Sequence, residues 1–339
     1  MQLFPFSMSL LQELDRPPDA LPLPRLAWEA RIGWNHRNHT YSLVNVTGFD
    51  AQPVAAVAVR AYQRNIKLNA NDTTRMAAFE ANGEAAVQRA IALFDAMEPH
   101  QFSDLTSLQR LICDVGMNDE MLYTFPIEFA GCYGRGLHVY QYPNQLSRYL
   151  AWLAAEASRP HSNVSSYFEI GCRWGGNFVV VVEVLRRHAP RLAWVGAVDP
   201  IGETPLMRAY ARFLATKGIG YRFHKAYSTD GAFGAALKEA RPAYVFVDGN
   251  HKYSIALADH QLADAVGARY IAHHDIVSQA CDTRYLWPRL VANEANHNDN
   301  ASSISHRFRA LEFVQQYQSV HGRFLGIGVL VRRQGRSGP

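Results

Sequence analysis

The sequence predicts an α/β protein whose core is a doubly wound sheet of seven strands, parallel except for one antiparallel strand at the edge. From Ser165 onward, short apolar runs rich in β-branched and aromatic residues alternate with longer amphipathic segments, which is the pattern of a parallel sheet covered by helices on both faces. Closely spaced glycines follow the first run, as expected where a strand turns sharply into a helix. The last two runs lie close together in the chain and predict an antiparallel pair.

The predicted elements follow one another in regular order. Strands are expected at residues 164–170, 193–198, 220–225, 243–247, 268–272, 308–317 and 324–331. Helices between them are expected at residues 177–188, 204–216, 230–240 and 253–265. Propensity alone would make Val179–Val182 a strand, but a right-handed crossover between parallel strands requires a helix there. A further helix, begun by Pro143, is predicted before the first strand.

The chain divides into three predicted regions. Residues 137–332 form the α/β domain, which a glycine-rich break at 131–136 precedes and a loose tail at 333–339 follows. Residues 1–136 are expected to form an accessory layer, mostly helical, in which 73–98 is an amphipathic helix. Two roles for this layer stay open: it covers the α/β domain, or it takes part in substrate recognition or in contacts between subunits.

Composition and charge exclude several classes of protein. The 339 residues are 48% hydrophobic and 19% charged with a formal net charge of +4, as in an ordinary globular chain. No block of Lys and Arg indicates nucleic-acid binding, and no run of about 18 apolar residues indicates a membrane span. The four cysteines are scattered and the first residues lack the pattern of a signal peptide, which together favour a reducing, cytoplasmic location.

The segment Glu169–Phe178, EIGCRWGGNF, joins the first strand of the domain to its helix. Strand, glycine turn and helix form the nucleotide pocket of many α/β domains, because free N–H groups at the helix start face the ligand. A purely structural turn is the alternative. The dinucleotide fingerprint needs a small residue in the middle of the turn, where Arg173 and Trp174 stand here. This substitution argues against NAD and FAD, and the sequence lacks the phosphate loop of nucleoside triphosphatases.

Polar residues stand at the ends of the predicted strands, where ligands of parallel α/β sheets bind. Asp199 closes the second strand, about 24 positions beyond Gly175, near the spacing of about 20 for an acid that binds ribose hydroxyls. Capping a helix is its alternative role. Tyr227 and Ser228 follow the third strand, at a further position suited to a ligand contact.

Acids and histidines cluster after the next two strands. Asp248 and His251 follow one strand, and His274 and Asp275 follow its neighbour. Two carboxylates at adjoining strand ends repel each other, and a divalent cation between them would remove that penalty. Oxygen ligands favour Mg²⁺ or Mn²⁺, while the histidines leave other metals open. In the alternative, the acids cap helices and the histidines pack at the surface.

Together these motifs resemble the class I S-adenosylmethionine-dependent methyltransferases. Within that class, they resemble a subgroup of metal-dependent sugar and antibiotic O-methyltransferases and cephalosporin-hydroxylase-like proteins. The resemblance spans residues 137 to 331 and rests on Glu169-Ile-Gly-Cys-Arg-Trp-Gly-Gly, Val-Asp199-Pro, Val-Phe-Val-Asp248-Gly-Asn-His251, His274-Asp275-Ile and Gly326-Ile-Gly-Val-Leu. It implies a Rossmann-like fold and S-adenosylmethionine as the cofactor.

The resemblance also implies a role for each motif residue. The cofactor-binding residues would be Glu169, Gly171, Cys172, Arg173, Gly175, Asp199, Tyr227, Ser228 and Asp248, with the first motif at the amino-acid end, Asp199 at the ribose and Tyr227 and Ser228 at the adenine. The metal ligands for Mg²⁺ or Mn²⁺ would be Asp248, His274 and Asp275, and the base would be His251 with His274 as its rival. This sequence departs from the subgroup at His274, where an acid is common. Tyr142 and Gln145 could also contact the cofactor, with packing as their alternative role.

The sequence therefore predicts an O-methyltransferase that acts on a hydroxyl of a small molecule, such as a sugar or natural product, with help from a cation. A hydroxylase-like or metal-independent member of the subgroup is one alternative. A cofactor-binding protein without chemistry is another, and it would bind the cofactor without transferring its methyl group. Neither a nucleic acid nor a membrane is expected as a partner, and both a monomer and a homo-oligomer stay open.

Overall fold

The structure, a computed structural model, describes residues 31–35, 40–44, 72–118, 132, 136–292, 307–317 and 323–333. The predicted tail beyond residue 333 and most of the predicted break at 131–136 lie outside these residues. No helix among the described residues is long and apolar enough to span a bilayer.

Seven strands form one sheet, and two more form a separate antiparallel pair. The pair consists of β1 (Arg31–Asn35) and β2 (Thr40–Val44). The sheet consists of β3 (Ser166–Ile170), β4 (Trp194–Val198), β5 (Gly220–His224), β6 (Tyr244–Val247), β7 (Tyr270–His274), β8 (Phe308–Phe313) and β9 (Ile327–Arg332). Its order is β5-β4-β3-β6-β7-β9-β8. Strands β3 to β7 pair in parallel, and β9 runs antiparallel to both β7 and β8. The predicted fold class is confirmed, with the reversed strand one place in from the edge.

The helices among the described residues lie largely where the sequence places them. They are α1 (Asp72–Asp95), a 3₁₀ helix (Pro99–Phe102), α2 (Leu105–Val115), α3 (Pro143–Ala157), α4 (Gly176–His188), α5 (Pro205–Thr216), α6 (Gly231–Ala240), α7 (Tyr253–Ala265) and α8 (Thr283–Ala292). The valine run at 179–182 lies inside α4 and is fully buried, so the crossover requirement outweighs β propensity there. Helix α8 is missing from the prediction because Pro288, which usually breaks a helix, stands inside it.

Alternation of side chains along the strands builds one apolar core on each face of the sheet. Tyr167, Tyr244 and Phe246 face the side that α1 to α5 cover. Phe168 and Val245 face the side that α6 to α8 cover. Helices α1 and α2 therefore share a core with the α/β domain. Because β3 to β7 are parallel, their carboxyl ends open on one edge of the sheet, where the predicted polar residues stand.

Candidate active site

A cavity of about 410 Å³ lies at the carboxyl ends of β3 to β7. This volume is in the range of pockets that hold small ligands and cofactors. Of the site residues predicted from the sequence, the cavity is lined by Glu169, Gly171, Cys172, Arg173, Asp199, Tyr227, Ser228, Asp248, His251, His274 and Asp275. Gly175 is not among the lining residues: it packs against α5, where a Cβ atom would lie 2.3 Å from Met207 Sδ.

The glycines after β3 are required by close contacts within the protein itself. Gly171 has a φ angle of +84°, and a Cβ atom there would lie 2.3 Å from the backbone oxygen of Asp248. Gly175 also has a positive φ angle, of +90°. At the next residue, Gly176, a Cβ atom would lie 2.2 Å from the carbonyl oxygen of Leu137. Another residue would be strained by the positive φ at Gly171 and Gly175, and it would clash with a backbone oxygen at Gly171 and Gly176. The turn thus brings β3, β6 and α4 into close contact around the cavity.

Asp199 fixes the shape of the turn. Its Oδ2 accepts a hydrogen bond from Arg173 N at 2.7 Å, and its Oδ1 accepts one from Ile201 N at 3.0 Å. The first bond holds Arg173 at a φ angle of +46°, which a non-glycine residue seldom adopts. Asp199 caps no helix, since Thr204 is the cap of α5. Each carboxylate oxygen keeps a further lone pair for a ligand in the cavity.

Glu169 is the most buried acid of the cavity, with 1% of its surface exposed. Burial raises the pKa of Glu169 to about 8, although the hydroxyl of Tyr167 donates a hydrogen bond to Oε2 at 2.6 Å and opposes the shift. At neutral pH the carboxyl group therefore carries a proton for much of the time. A cationic ligand group beside it would favour the ionised form instead.

Two histidines and two acids form a compact cluster on the other side of the cavity. His274 Nδ1 lies 3.0 Å from Asp248 Oδ1 and 3.4 Å from Asp275 Oδ2. His251 Nε2 lies 3.3 Å from Asp275 Oδ2 and 4.0 Å from Asp248 Oδ1. His274 is 2% exposed, whereas the side chain of His251 is 33% exposed and reaches the open part of the cavity. Each carboxylate thus has an imidazole nitrogen beside it.

The charges of this cluster are strongly coupled. Burial alone would raise the pKa of Asp275, but His274 and then His251 outweigh it and lower that pKa to about 2. Burial alone would lower the pKa of His274, but Asp248 and Asp275 outweigh it and act to raise that pKa well above its ordinary value. The carboxylates thereby favour a proton on Nδ1, the nitrogen that faces them.

Two overlapping groups of side chains have donor atoms close enough to hold a cation. One is Asp248, His274 and Asp275, and the other is His251, Asp275 and Cys281, with all donor atoms of a group within 4.8 Å of one another. Among the described residues, Asp275 Oδ1 is buried without a hydrogen-bond partner, which suits a cation. The tautomer of His274 decides whether the first group can act as a set of three ligands, because a nitrogen that carries a proton cannot coordinate a metal.

Several residues that the sequence reasoning did not single out also contribute. His138, Tyr140 and Asn250 line the cavity, and the Arg173 guanidinium lies 5.4 Å from the centre of the Tyr140 ring. The side-chain amide of Gln141 is fully buried behind the cavity and contacts His274. No motif marks His138, Tyr140 or Gln141, which enter the site because the segment before α3 passes beside β7. Asn250 lies inside the motif that ends at His251.

Tyr142 and Gln145, considered above as cofactor contacts, do not line the cavity. Gln145 Oε1 accepts a hydrogen bond from Gly326 N at 3.0 Å, and its Nε2 donates one to the Phe324 carbonyl oxygen at 3.3 Å. Tyr142 is fully buried, with its ring edge against Tyr317. Packing is therefore the role of both residues.

Comparison with known proteins adds little to the geometry. No family model and no curated protein sequence matches the chain. Solved structures that are similar include an O-methyltransferase from Bacillus cereus in complex with SAH (12% identity, 56% of this chain and 78% of that chain, TM-score 0.33). The O-methyltransferase TomG from Streptomyces achromogenes, involved in tomaymycin synthesis and in complex with SAM, is 14% identical over 58% of this chain and 83% of its own, with a TM-score of 0.32. A human methyltransferase 10 domain containing protein is 12% identical over 68% and 97%, with a TM-score of 0.36. At these values the assignment of function depends on the residues of the site.

Proposed function

We propose that the protein is an S-adenosylmethionine-dependent methyltransferase that acts on a hydroxyl group of a small molecule. The supporting observation is the charge of the cavity. Among the described lining residues, Arg173 alone carries a permanent positive charge, whereas the carboxyl groups are those of Glu169, Asp199, Asp248 and Asp275. A ligand with phosphate groups would be repelled here. A ligand with a sulfonium and an ammonium group, and no phosphate, is complementary to it.

The two ends of the amino-acid part of such a cofactor have matching partners. Its ammonium group would lie against Glu169, where it would replace the proton that burial holds on the carboxyl group. Its carboxylate would lie at the start of α4, where Gly175 has no side chain to cap the free N–H groups. Asp199 would accept hydrogen bonds from the ribose hydroxyls. Tyr227, which is 70% exposed beside the cavity, would cover the adenine.

His251 is the residue we assign as general base. Asp275 would accept the N–H of His251 Nε2, so that Nδ1 keeps a lone pair for the acceptor hydroxyl. Nδ1 of His251 would accept the hydroxyl proton. A bound S-adenosylmethionine would supply the methyl group, whose carbon–sulfur bond would break, with both electrons remaining on sulfur, as the oxygen bonds to the methyl carbon. Because sulfonium is already a good leaving group, the protein has only to align the three atoms and remove the proton.

Calorimetric titration with S-adenosylhomocysteine and with NAD tests the choice of cofactor. We expect binding of the former alone, and Asp199→Ala should weaken it by about 1–3 kcal/mol, the scale of a lost hydrogen bond to a charged group. Asp230→Ala is the matched control, because Asp230 caps α6 and does not line the cavity. Tighter binding of NAD would refute the proposed cofactor. Binding of S-adenosylhomocysteine without methyl transfer to any hydroxyl acceptor would indicate a protein that binds the cofactor without chemistry.

A further inference from the structure

The side-chain amide of Gln141 lies between a backbone N–H group and an imidazole ring. Gln141 Oε1 is 2.8 Å from Tyr142 N, and Gln141 Nε2 is 3.1 Å from His274 Nε2. Gln141 is fully buried, and His274 is 2% exposed. The arrangement joins the start of α3 to the end of β7 directly behind the acids of the cavity.

The chemistry of these groups fixes the position of the proton on His274. A backbone N–H group can only donate, so the end of the amide that faces Tyr142 must be the oxygen. The other end is then the NH₂ group, which also can only donate. His274 Nε2 must therefore accept, so Gln141 opposes the second proton that Asp248 and Asp275 favour on the ring, and Nε2 carries none. The proton of the neutral ring lies on Nδ1, which faces Asp248 and Asp275.

With its proton on Nδ1, His274 is not suited to act as a metal ligand beside the two acids. A histidine that binds a metal usually donates its second N–H to a carboxylate or a carbonyl oxygen, which leaves its other nitrogen free for the metal. Here the second nitrogen accepts from Gln141, and the nitrogen near the carboxylates carries the proton. Of the expected set, only Asp248 and Asp275 could hold a cation, and the Nδ1–H group already lies between them.

We propose that His274 takes the place of a divalent cation between Asp248 and Asp275, and that Gln141 is the positioning residue that keeps the proton on His274 Nδ1. The donated proton reduces the repulsion of the two carboxylates, which is what a cation would otherwise do. For catalysis the inference rests on the proposed function, because Asp275 in turn orients His251. The methyl transfer then depends on no added metal.

Cation binding and thermal unfolding test the first half of this proposal with a near-isosteric pair of variants. We expect no saturable site for Mn²⁺ on the wild-type protein by calorimetry, and no change in Tm on EDTA treatment. His274→Asn keeps an N–H donor toward Asp248, so it should also remain insensitive to Mn²⁺. His274→Asp places a third carboxylate in the cluster, so its Tm should fall and should recover with Mn²⁺. A protein that binds one Mn²⁺ ion and loses stability in EDTA, and that keeps this site in Cys281→Ala, which lacks the thiol of the second group of possible ligands, would overturn the proposal.

NMR of the histidine ring nitrogens tests the role of Gln141. In protein labelled with ¹⁵N-histidine, and with the signal of His274 identified by its loss in His274→Asn, Nε2 should show the shift of an unprotonated nitrogen. Gln141→Glu offers a carboxylate to both neighbours, so Nε2 should then become protonated. Gln316→Glu makes the same chemical change at an amide that, among the described residues, donates to the carbonyl oxygens of Val314 and Phe324, and it should leave the ring unchanged. A protonated Nε2 in the wild type would refute the assigned tautomer.

Neither measurement uses a cofactor or an acceptor. Failure of S-adenosylhomocysteine to bind would refute the proposed function and leave the tautomer and the cation result intact. The reverse outcome, cofactor binding together with a wild-type Mn²⁺ site, would refute only the role given to His274.

Discussion

Glu169 should make the binding of S-adenosylhomocysteine depend on pH in a defined window. Burial raises the pKa of its carboxyl group to about 8 in the free protein, against an ordinary value near 4.3. If the ammonium group of the ligand lies against Glu169, binding requires the ionised carboxylate, and the proton must leave. Below pH 8 that release costs about 1.4 kcal/mol for each pH unit. Because the carboxyl group is already half ionised at pH 8, the dissociation constant should rise about fivefold from pH 8 to pH 7 and about ninefold from pH 7 to pH 6, or about 50-fold in all.

Calorimetry at pH 6, 7 and 8 in buffers of different ionisation enthalpy measures both the affinity and the proton released. Glu169→Gln should bind more weakly at pH 8 and should lose the slope, because it has no proton to release. Asp259→Asn is the matched control, because burial raises the pKa of Asp259 to about 6 but this acid does not line the cavity. Between pH 7 and pH 8 the affinity of this variant should change with pH as much as that of the wild type. A wild-type affinity that stays constant from pH 6 to pH 8 would refute the placement of the ammonium group.

Three more variants or conditions probe other parts of the molecule. His251→Ala should lower kcat by about 10²–10⁴ while leaving S-adenosylhomocysteine affinity nearly unchanged, as measured by steady-state kinetics and calorimetry. His260 and His273 lie with ring nitrogens 3.0 Å apart, and burial lowers both pKa values, that of His260 to about 4. Because both depressed pKa values lie below that of unfolded histidine, near 6.5, the contribution of this pair to stability should be full above pH 6.5 and should fall as the pH drops toward 4. In urea unfolding the wild type should therefore lose stability relative to His260→Gln between pH 7 and pH 5, since the raised pKa values of Glu169 and Asp259 act alike in both proteins; an unchanged difference between the two proteins would contradict this. Gly171→Ala should lower the free energy of unfolding by roughly 2–5 kcal/mol, because alanine is strained at positive φ and its Cβ atom would clash with a carbonyl oxygen. Gly234→Ala lies in a helix with open space around the new Cβ atom, so it should raise the free energy of unfolding by about 0.5–1 kcal/mol. Thermal unfolding of the two glycine variants measures both changes.

The order of strands and helices follows from the sequence because each buried strand is a separate apolar run. The run that precedes Glu169 and the run that precedes Asp248 mark strands β3 and β6, and parallel strands expose their carboxyl ends on one edge. That rule alone brings most of the predicted polar residues to one cavity. The exact ends of individual strands are harder to predict from the sequence. Strand β7 extends to His274, two residues beyond the predicted end, so that His274 belongs to the sheet and is buried in it.

The contacts that decide the chemistry could not be predicted, because they join residues far apart in the chain. Gln141 and His274 are separated by 133 positions, and nothing near Gln141 marks it as part of a site. Asp199 shows the same limit: its position predicts a ligand contact, but its hydrogen bond to Arg173 depends on the path of the turn. Gly175 was expected to face a ligand and instead packs on Met207, since a glycine motif does not tell which neighbour requires the missing side chain.

The departure of His274 from the resemblance has a physical explanation in this geometry. An acid at position 274 would place three carboxyl groups at two adjoining strand ends, an arrangement that only a cation could hold together. A histidine in the same place turns Nδ1 toward Asp248 at 3.0 Å and Nε2 toward the amide of Gln141, so each of its nitrogens faces a group of suitable chemistry without an ion. Asp275, kept ionised with a pKa of about 2, can then orient His251 toward the cavity. Methyl transfer from a sulfonium needs a base and a fixed line of attack. Neither requirement calls for a metal once the cluster of Asp248, His251, His274 and Asp275 is in place.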